Sequence, residues 1–291
     1  MTKTIGANSP PAMEMVLITG LSGSGKSVAL AVLEDSGYYC VDNFPGQLFA
    51  ALVDTLLETG HKRVALTMDA RSGDDIVNFS AHVEMLRQSG IRFKLLYLEA
   101  TDNALIKRFS ETRRRHPLSQ EGSTLMECIA RDRALLADAA AIANHIDTSE
   151  LSPNALRTWV KDFIAVPLDG LTLLFESFGY KYGIPLDADL VFDVRSLSNP
   201  YYDPALRVLN GRDSEVIEFM NANVEAQRLL EDIRNFVETW LPSFRRDNRS
   251  YLTVAIGCTG GRHRSVYFVE SLAKVFRASA HVLTRHRGLL G

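Results

Sequence analysis

Gly20-Leu21-Ser22-Gly23-Ser24-Gly25-Lys26-Ser27 fits G-x-x-x-x-G-K-[ST] at every required position, and no other stretch constrains the fold as tightly. Before it runs the apolar, β-rich Met15-Val16-Leu17-Ile18-Thr19, and after it Val28, Ala29, Val32 and Leu33 recur at helical spacing. Strand, glycine loop and helix in that order make a phosphate cradle. The glycines let backbone amides turn toward an anion, and the helix start adds partial positive charge. Lys26 would reach the β/γ-phosphates of a nucleotide, and the Ser27 hydroxyl would hold Mg2+.

The flanking sequence continues the alternation. Tyr38 to Val41 reads as a short strand that delivers Asp42 to its carboxyl end, where open α/β sheets hold ligands. Val64-Ala65-Leu66-Thr67-Met68-Asp69 has the form of a Walker B strand, whose carboxylate holds Mg2+ or its water; the alternative is a solvated strand-end Asp69. Further strands are expected at 93–98 and 144–147. Helices are expected from Pro45 to Gly60 and over 76–86, 105–109, 125–140 and 153–164. The run Arg113-Arg114-Arg115 is either a solvated helix end or a mobile lid closing on phosphates as arginine fingers do. Together these signals predict a doubly wound parallel-sheet P-loop NTPase domain of the kinase-like type over residues 15–167.

Ala165 to Gly170 reads as a linker, with the boundary near 168 and a second, smaller α/β domain over 168–291. Its strands are expected at 171–175, 189–193 and 251–258, and its helices at 214–220, 223–240 and 266–277. The last of these strands enters Cys258-Thr259-Gly260-Gly261-Arg262-His263-Arg264-Ser265, which satisfies C-x5-R-[ST]. Amides at a helix start and a bidentate Arg264 suit a bound phosphate or sulfate. Three readings stay open: an inert Cys258 in a binding loop, a catalytic thiolate of phosphatase type, and a plain βα turn. Arg245, Arg246, Arg249, Arg277, Arg285 and Arg287 suit contacts to an RNA backbone, or equally a solvated basic face.

Composition sets the outer limits. At 291 residues, 46% hydrophobic and 23% charged, the chain can build one large core or two ordinary ones. A formal charge of −3 restricts any RNA contact to a regional patch. Cys40, Cys128 and Cys258 lie far apart with no C-x-x-C pair, which argues against a disulfide framework or structural zinc and fits the cytoplasm. Residues 1–14 read as a disordered leader, and no run of about 18 apolar residues offers a membrane span.

Beyond the P-loop, a set of segments carries a resemblance over nearly the whole chain: Tyr39-Cys40-Val41-Asp42-Asn43, Asp69-Ala70-Arg71-Ser72, Phe175-Glu176-Ser177-Phe178-Gly179, Gly183-Ile184-Pro185, Phe192-Asp193-Val194-Arg195, Asn199-Pro200 and 257–265. The sequence resembles the RapZ family of P-loop nucleotide-binding proteins, also described as RNase adapters. The resemblance implies ATP and GTP binding with slow hydrolysis at the P-loop, residues 20–27, and guanine-nucleotide contact at Asp69, Ala70, Arg71 and Ser72; the residues' own patterns make Lys26, Ser27, Asp42 and Asp69 the catalytic candidates, with Mg2+ on Ser27 and Asp69. It further implies a phosphorylated amino sugar such as glucosamine-6-phosphate at Thr259, Gly260, Gly261, His263 and Arg264. In the enteric members it implies small RNA, for which Arg264, Arg285 and Arg287 are the candidates here, presented to RNase E by a homo-oligomer. Tyr201 stands where the enteric pattern has His-Trp after Asn-Pro, and the chain lacks the lysine-rich enteric tail. A small-molecule kinase using Asp42 as base remains the rival reading.

Overall fold

A computed structural model describes residues 13–71, 76, 78–89, 91–166, 171–246 and 251–289. Residues 1–12 of the expected leader, Ser72, residues 167–170 of the expected 165–170 linker and Arg249 lie outside the described residues. Of the two other residues expected in the disordered leader, Met13 is instead buried and Glu14 begins a strand, because they join the central sheet and its core. The chain divides into two compact units between Lys161 and Asp162.

In the N-terminal unit, β1 (Glu14–Gly20), β2 (Tyr39–Val41), β3 (Arg63–Thr67), β4 (Arg92–Glu99) and β5 (Asn144–Asp147) form one parallel sheet in the order β2-β3-β1-β4-β5. β1 is the central strand, paired with β3 from Glu14↔Arg63 to Ile18↔Thr67 and with β4 from Glu14↔Arg92 to Gly20↔Leu98. A strand covered on both faces must be apolar throughout, which is why residues 15–18 show no polar alternation and are all fully buried. Met15 and Leu17 meet Leu66, Phe79, Val83, Leu86 and Tyr97 in one continuous core. The helices are α1 (Lys26–Asp35), α2 (Phe49–Thr59), α3 (Phe79–Gln88), α4 (Asp102–Thr112), α5 (Leu125–Leu135), α6 (Ala137–Ile142) and α7 (Pro153–Ala165). The single helix expected over 125–140 is thus two, because the chain leaves helical geometry at Leu136 (φ −94°, ψ 3°).

In the C-terminal unit, β6 (Thr172–Gly179), β7 (Leu190–Asp193), β8 (Tyr251–Cys258) and β9 (His281–His286) form a parallel sheet in the order β7-β8-β6-β9. The helices are α8 (Ser214–Asn221), α9 (Val224–Arg246) and α10 (Arg264–Phe276). α9 runs past the expected stop at Trp240 and carries Pro242 inside it, with Leu241 buried and Phe244 packed against the core. β9 lies outside the strands expected from the sequence: its histidines and arginine disguise a strand that pairs with β6 from Thr172↔His281 to Ser177↔His286. Both units therefore place a glycine loop at the carboxyl end of an inner strand, β1 in one and β8 in the other. Among the described residues no helix is long and apolar enough to cross a membrane.

Candidate phosphate-binding sites

The first loop has the backbone its glycines allow. Gly20, Gly23 and Gly25 take φ of +134°, +84° and +109°, and a Cβ on Gly20 would stand 2.1 Å from the Leu98 carbonyl oxygen. Ser24 N–H donates to the Leu21 carbonyl, while the N–H groups of Gly23, Gly25, Lys26 and Ser27 meet no acceptor among the described residues. Unpaired amides at a helix start are an anion site in waiting. Lys26 is buried; its Nζ donates to the carbonyls of Gly20 (2.7 Å) and Leu21 (3.1 Å) and lies 3.5 Å from Asp69 Oδ2. Burial lowers the Lys26 pKa, against the pull of Asp69 and Asp132. Ser27 is exposed in the first turn of α1.

Asp69, buried beyond the end of β3, receives Arg71 three ways: backbone N–H at 2.9 Å, Nε at 3.0 Å and Nη2 at 2.8 Å. Burial pushes its carboxyl up, but the Arg71 hydrogen bonds and the Lys26 charge overcome this and hold it below the usual carboxylate value. Ala70 is buried between them. Asp42 is exposed and accepts the Thr67 hydroxyl, so the structure joins Asp69 to Lys26 and Asp42 to Thr67. The Ser27 hydroxyl and the Asp69 carboxylate are hard oxygen donors of the kind Mg2+ takes, usually completed by phosphate oxygens and water. No group of three His, Cys, Asp or Glu able to hold a metal occurs among the described residues.

Three residues that the sequence did not single out also touch this loop. Arg108 of α4 donates to the Gly23 carbonyl (3.1 Å) and to the Thr148 hydroxyl, which in turn donates to the Ser24 carbonyl. Asp132 of α5 accepts the Ser22 N–H at 2.8 Å. Arg113, Arg114 and Arg115 stay exposed. A lone acid or arginine on an amphipathic helix carries no local signal; only the fold brings Arg108 and Asp132 to residues 22–24.

The second loop repeats the plan. Gly261 has φ +72°, and Cβ atoms on Gly179 or Gly288 would collide with the loop backbone at 2.6 and 2.5 Å. Its Gly260, Arg262 and His263 N–H groups meet no acceptor among the described residues. Arg264, 3% exposed, donates through Nη1 to the carbonyls of Arg195 (2.9 Å) and Leu197 (2.7 Å) and through Nη2 to the Thr259 hydroxyl (3.3 Å). Its Nε has no hydrogen-bond partner, and no carboxylate pairs with it among the described residues. His263 Nε2 sits 3.1 Å from the Leu206 carbonyl, and burial lowers its pKa, which favours the neutral ring. Arg262 points away, donating to the carbonyls of Leu209 and Val208. Cys258 Sγ accepts the Gly261 N–H and lies against the Ser265 hydroxyl, each at 3.2 Å. Asp193 and Arg195 reproduce the Asp69–Arg71 clamp, with N–H, Nε and Nη2 at 2.9, 3.0 and 2.7 Å. Asp-x-Arg-Ser thus recurs at the carboxyl end of the strand next to each loop's own strand.

Arg285 and Arg287 correct the sequence expectation. β9 carries Arg285 into the sheet opposite Glu176, and its Nη1 lies 3.3 Å from both Glu176 Oε1 and Asp187 Oδ2. Arg287 Nη1 lies 3.7 and 3.8 Å from the same two carboxylates. Four charges closed on one another inside the unit are not available to an RNA backbone.

The sequence profile of the RapZ-like N-terminal domain matches residues 13–167, and that of the RapZ C-terminal domain matches residues 171–290. The chain is 57% identical over 279 residues to the nucleotide-binding protein of Nitrosomonas europaea, covering 95% of this chain and 96% of that protein. It is 58% identical over 276 residues to the nucleotide-binding protein of Aromatoleum aromaticum, covering 94% of each. Among solved structures, a shikimate kinase from Bacteroides thetaiotaomicron is a remote likeness, with TM-score 0.39 and 17% identity over 53% of this chain and 100% of that one. Matched in both halves and along nearly its whole length, the chain belongs to the RapZ family.

Proposed function

We propose that the chain is a regulatory protein that binds ATP or GTP with Mg2+ at residues 20–27 and a phosphorylated amino sugar at residues 259–264. Unpaired amides around a buried Lys26 support the first site, and the chain's relatives in Nitrosomonas europaea and Aromatoleum aromaticum are named nucleotide-binding proteins, in agreement with it. Hydrolysis there would be slow, with Lys26 and Ser27 on the phosphates, Asp69 on the metal or its water and Asp42 toward the attacking group. Asp69, Ala70 and Arg71, with Ser72, are the candidates for guanine nucleotide contact. The observation that carries the second site is Arg264: a buried cation beside unpaired amides, paired with no carboxylate among the described residues and feeling Asp193 only at longer range, is costly unless an anion completes it. A phosphate on Gly260, Gly261 and Arg264, with the sugar toward Thr259 and His263, supplies that anion.

RNA binding, with delivery to a ribonuclease by an oligomer, rests on the family resemblance and on a different surface from the one first expected. Around the second loop, Arg195 stands 3.8 Å over Tyr180, Lys181 4.5 Å over Tyr182 and Arg207 4.8 Å over Tyr201, with Tyr202 79% exposed. Cations interleaved with tyrosines suit single-stranded RNA, which stacks bases and neutralises phosphates together.

Calorimetric titration of the intact chain with Mg·ATP, Mg·GTP and glucosamine-6-phosphate tests the two sites. Heat from both ligand classes, each unaffected by substitutions in the other loop, is the expected result. A silent titration with either class removes that site.

A further inference from the structure

We propose that Asp132 and His116 are positioning residues that couple the phosphate loop to the arginine-bearing segment 113–115. The proposal rests on the nucleotide reading of residues 20–27.

The connection is short and buried. Asp132 Oδ2 accepts the Ser22 N–H at 2.8 Å, and His116 Nε2 stands 3.3 Å from the same oxygen, in charge contact but outside hydrogen-bond geometry, both side chains being 1% exposed. His116 Nδ1 accepts the Leu118 N–H at 3.1 Å, which leaves Nε2 as the ring N–H that faces the carboxylate. A second route runs beside the first. The His116 ring lies 5.1 Å from that of Phe109, and Phe109 Cε2 is 3.2 Å from where a Cβ on Gly23 would stand. Adjacent residues of the phosphate loop, Ser22 and Gly23, therefore both lead to His116. His116 directly follows three exposed arginines.

The carrier of Asp132 is held still. α5 opens with a capping box between Thr124 and Glu127, and Arg133, next to Asp132, pairs with Asp102 at 2.9 Å. Asp132 Oδ1, Ser22 Oγ and His116 Nε2 are nonetheless buried without hydrogen-bond partners, an arrangement that costs stability and leaves these three groups free to re-pair when the loop is filled. A phosphate entering the loop places negative charge near Asp132, and both anions draw on Lys26. The carboxylate responds through its two partners, the Ser22 amide and the His116 ring. Nucleotide occupancy is thereby felt at residues 113–115, and the position of those arginines is felt at the loop.

Trypsin cleavage after Arg113, Arg114 and Arg115 in the intact chain reads this coupling, measured without nucleotide and with Mg·ATP at saturation. Saturation is fixed for each variant by calorimetry. In the wild type, cleavage should change about fivefold or more, the lower end of ordinary coupling between sites. Asp132→Asn, which keeps the shape and the acceptor but removes the charge, and His116→Ala should lose the response. His116→Gln, which keeps an N–H donor toward Asp132, should restore much of it. A merely structural pair would change cleavage equally with and without nucleotide. Wild-type heat without a wild-type cleavage response, or an undiminished response in both Asp132→Asn and His116→Ala, overturns the proposal alone. A wild-type chain that gives no heat overturns the nucleotide reading and this proposal with it.

Discussion

Replacing Lys26 with Ala separates the cost of the empty site from the gain on binding. In the empty protein Nζ serves two carbonyls, at 2.7 and 3.1 Å, and an unpaired buried carbonyl costs about 1–3 kcal/mol. Removing a buried ammonium, whose lowered pKa records its desolvation, offsets much of this, so the empty variant should stay within about 2 kcal/mol of wild type. The bound state has no such offset. Charge-assisted hydrogen bonds from Nζ to phosphate are worth about 1.5–3 kcal/mol each, and a loss of about 3 kcal/mol weakens binding roughly 150-fold. At Mg·ATP equal to about 100 times the wild-type Kd, wild type gains about 2.7 kcal/mol and the variant about 0.3. For a unit of this size that is a Tm shift of roughly 5–10 °C against about 1 °C, read by scanning calorimetry. A shift of about 5 °C in the variant, with its binding heat intact, would refute the assignment of Lys26 to the phosphates.

The second site predicts that Arg264→Met weakens glucosamine-6-phosphate or inorganic phosphate about 10–100-fold by calorimetry, for the loss of one charge-assisted contact. Unchanged affinity would assign Arg264 to holding the Arg195 and Leu197 carbonyls alone. Gly20→Ala should destabilise the N-terminal unit by about 2–5 kcal/mol in urea, since the new Cβ meets the Leu98 carbonyl at 2.1 Å and φ is +134°; a cost under about 1 kcal/mol would show that β1 and β4 part freely. Asp69 has a folded pKa below its ordinary 3.8, so its stabilising contribution is full above that value and is lost as pH falls through the folded one. Asp69→Asn should therefore show a shallower loss of stability with acid below about pH 4, by up to about 1.4 kcal/mol per pH unit. Parallel acid-denaturation curves for the two proteins would rule this out.

Several parts of this protein were legible in its residues because the cause is local. Gly20, Gly23 and Gly25 announce φ values that other residues resist, and the apolar run 15–18 announces a strand covered on both faces. The same holds for Gly261 after the apolar run 251–256. Asp-x-Arg could be read as a motif, but that Asp69–Arg71 and Asp193–Arg195 close the same clamp is visible only in space. Basic residues misled. Arg285 looked like surface because arginine prefers water, yet β9 registers it opposite Glu176, where pairing with buried carboxylates replaces solvent.

What the sequence determined by itself was the two glycine loops, the parallel α/β class and the cation at each loop, Lys26 and Arg264, since backbone sterics and short spacings fix these within a few residues. What tertiary structure decided was which distant charges reach those loops and which are sealed away: Asp132 lies 110 positions from Ser22, and Arg285 109 from Glu176. Charge interactions depend on separation in space and on the water left between the groups, and neither follows from position along the chain until strands and helices are packed.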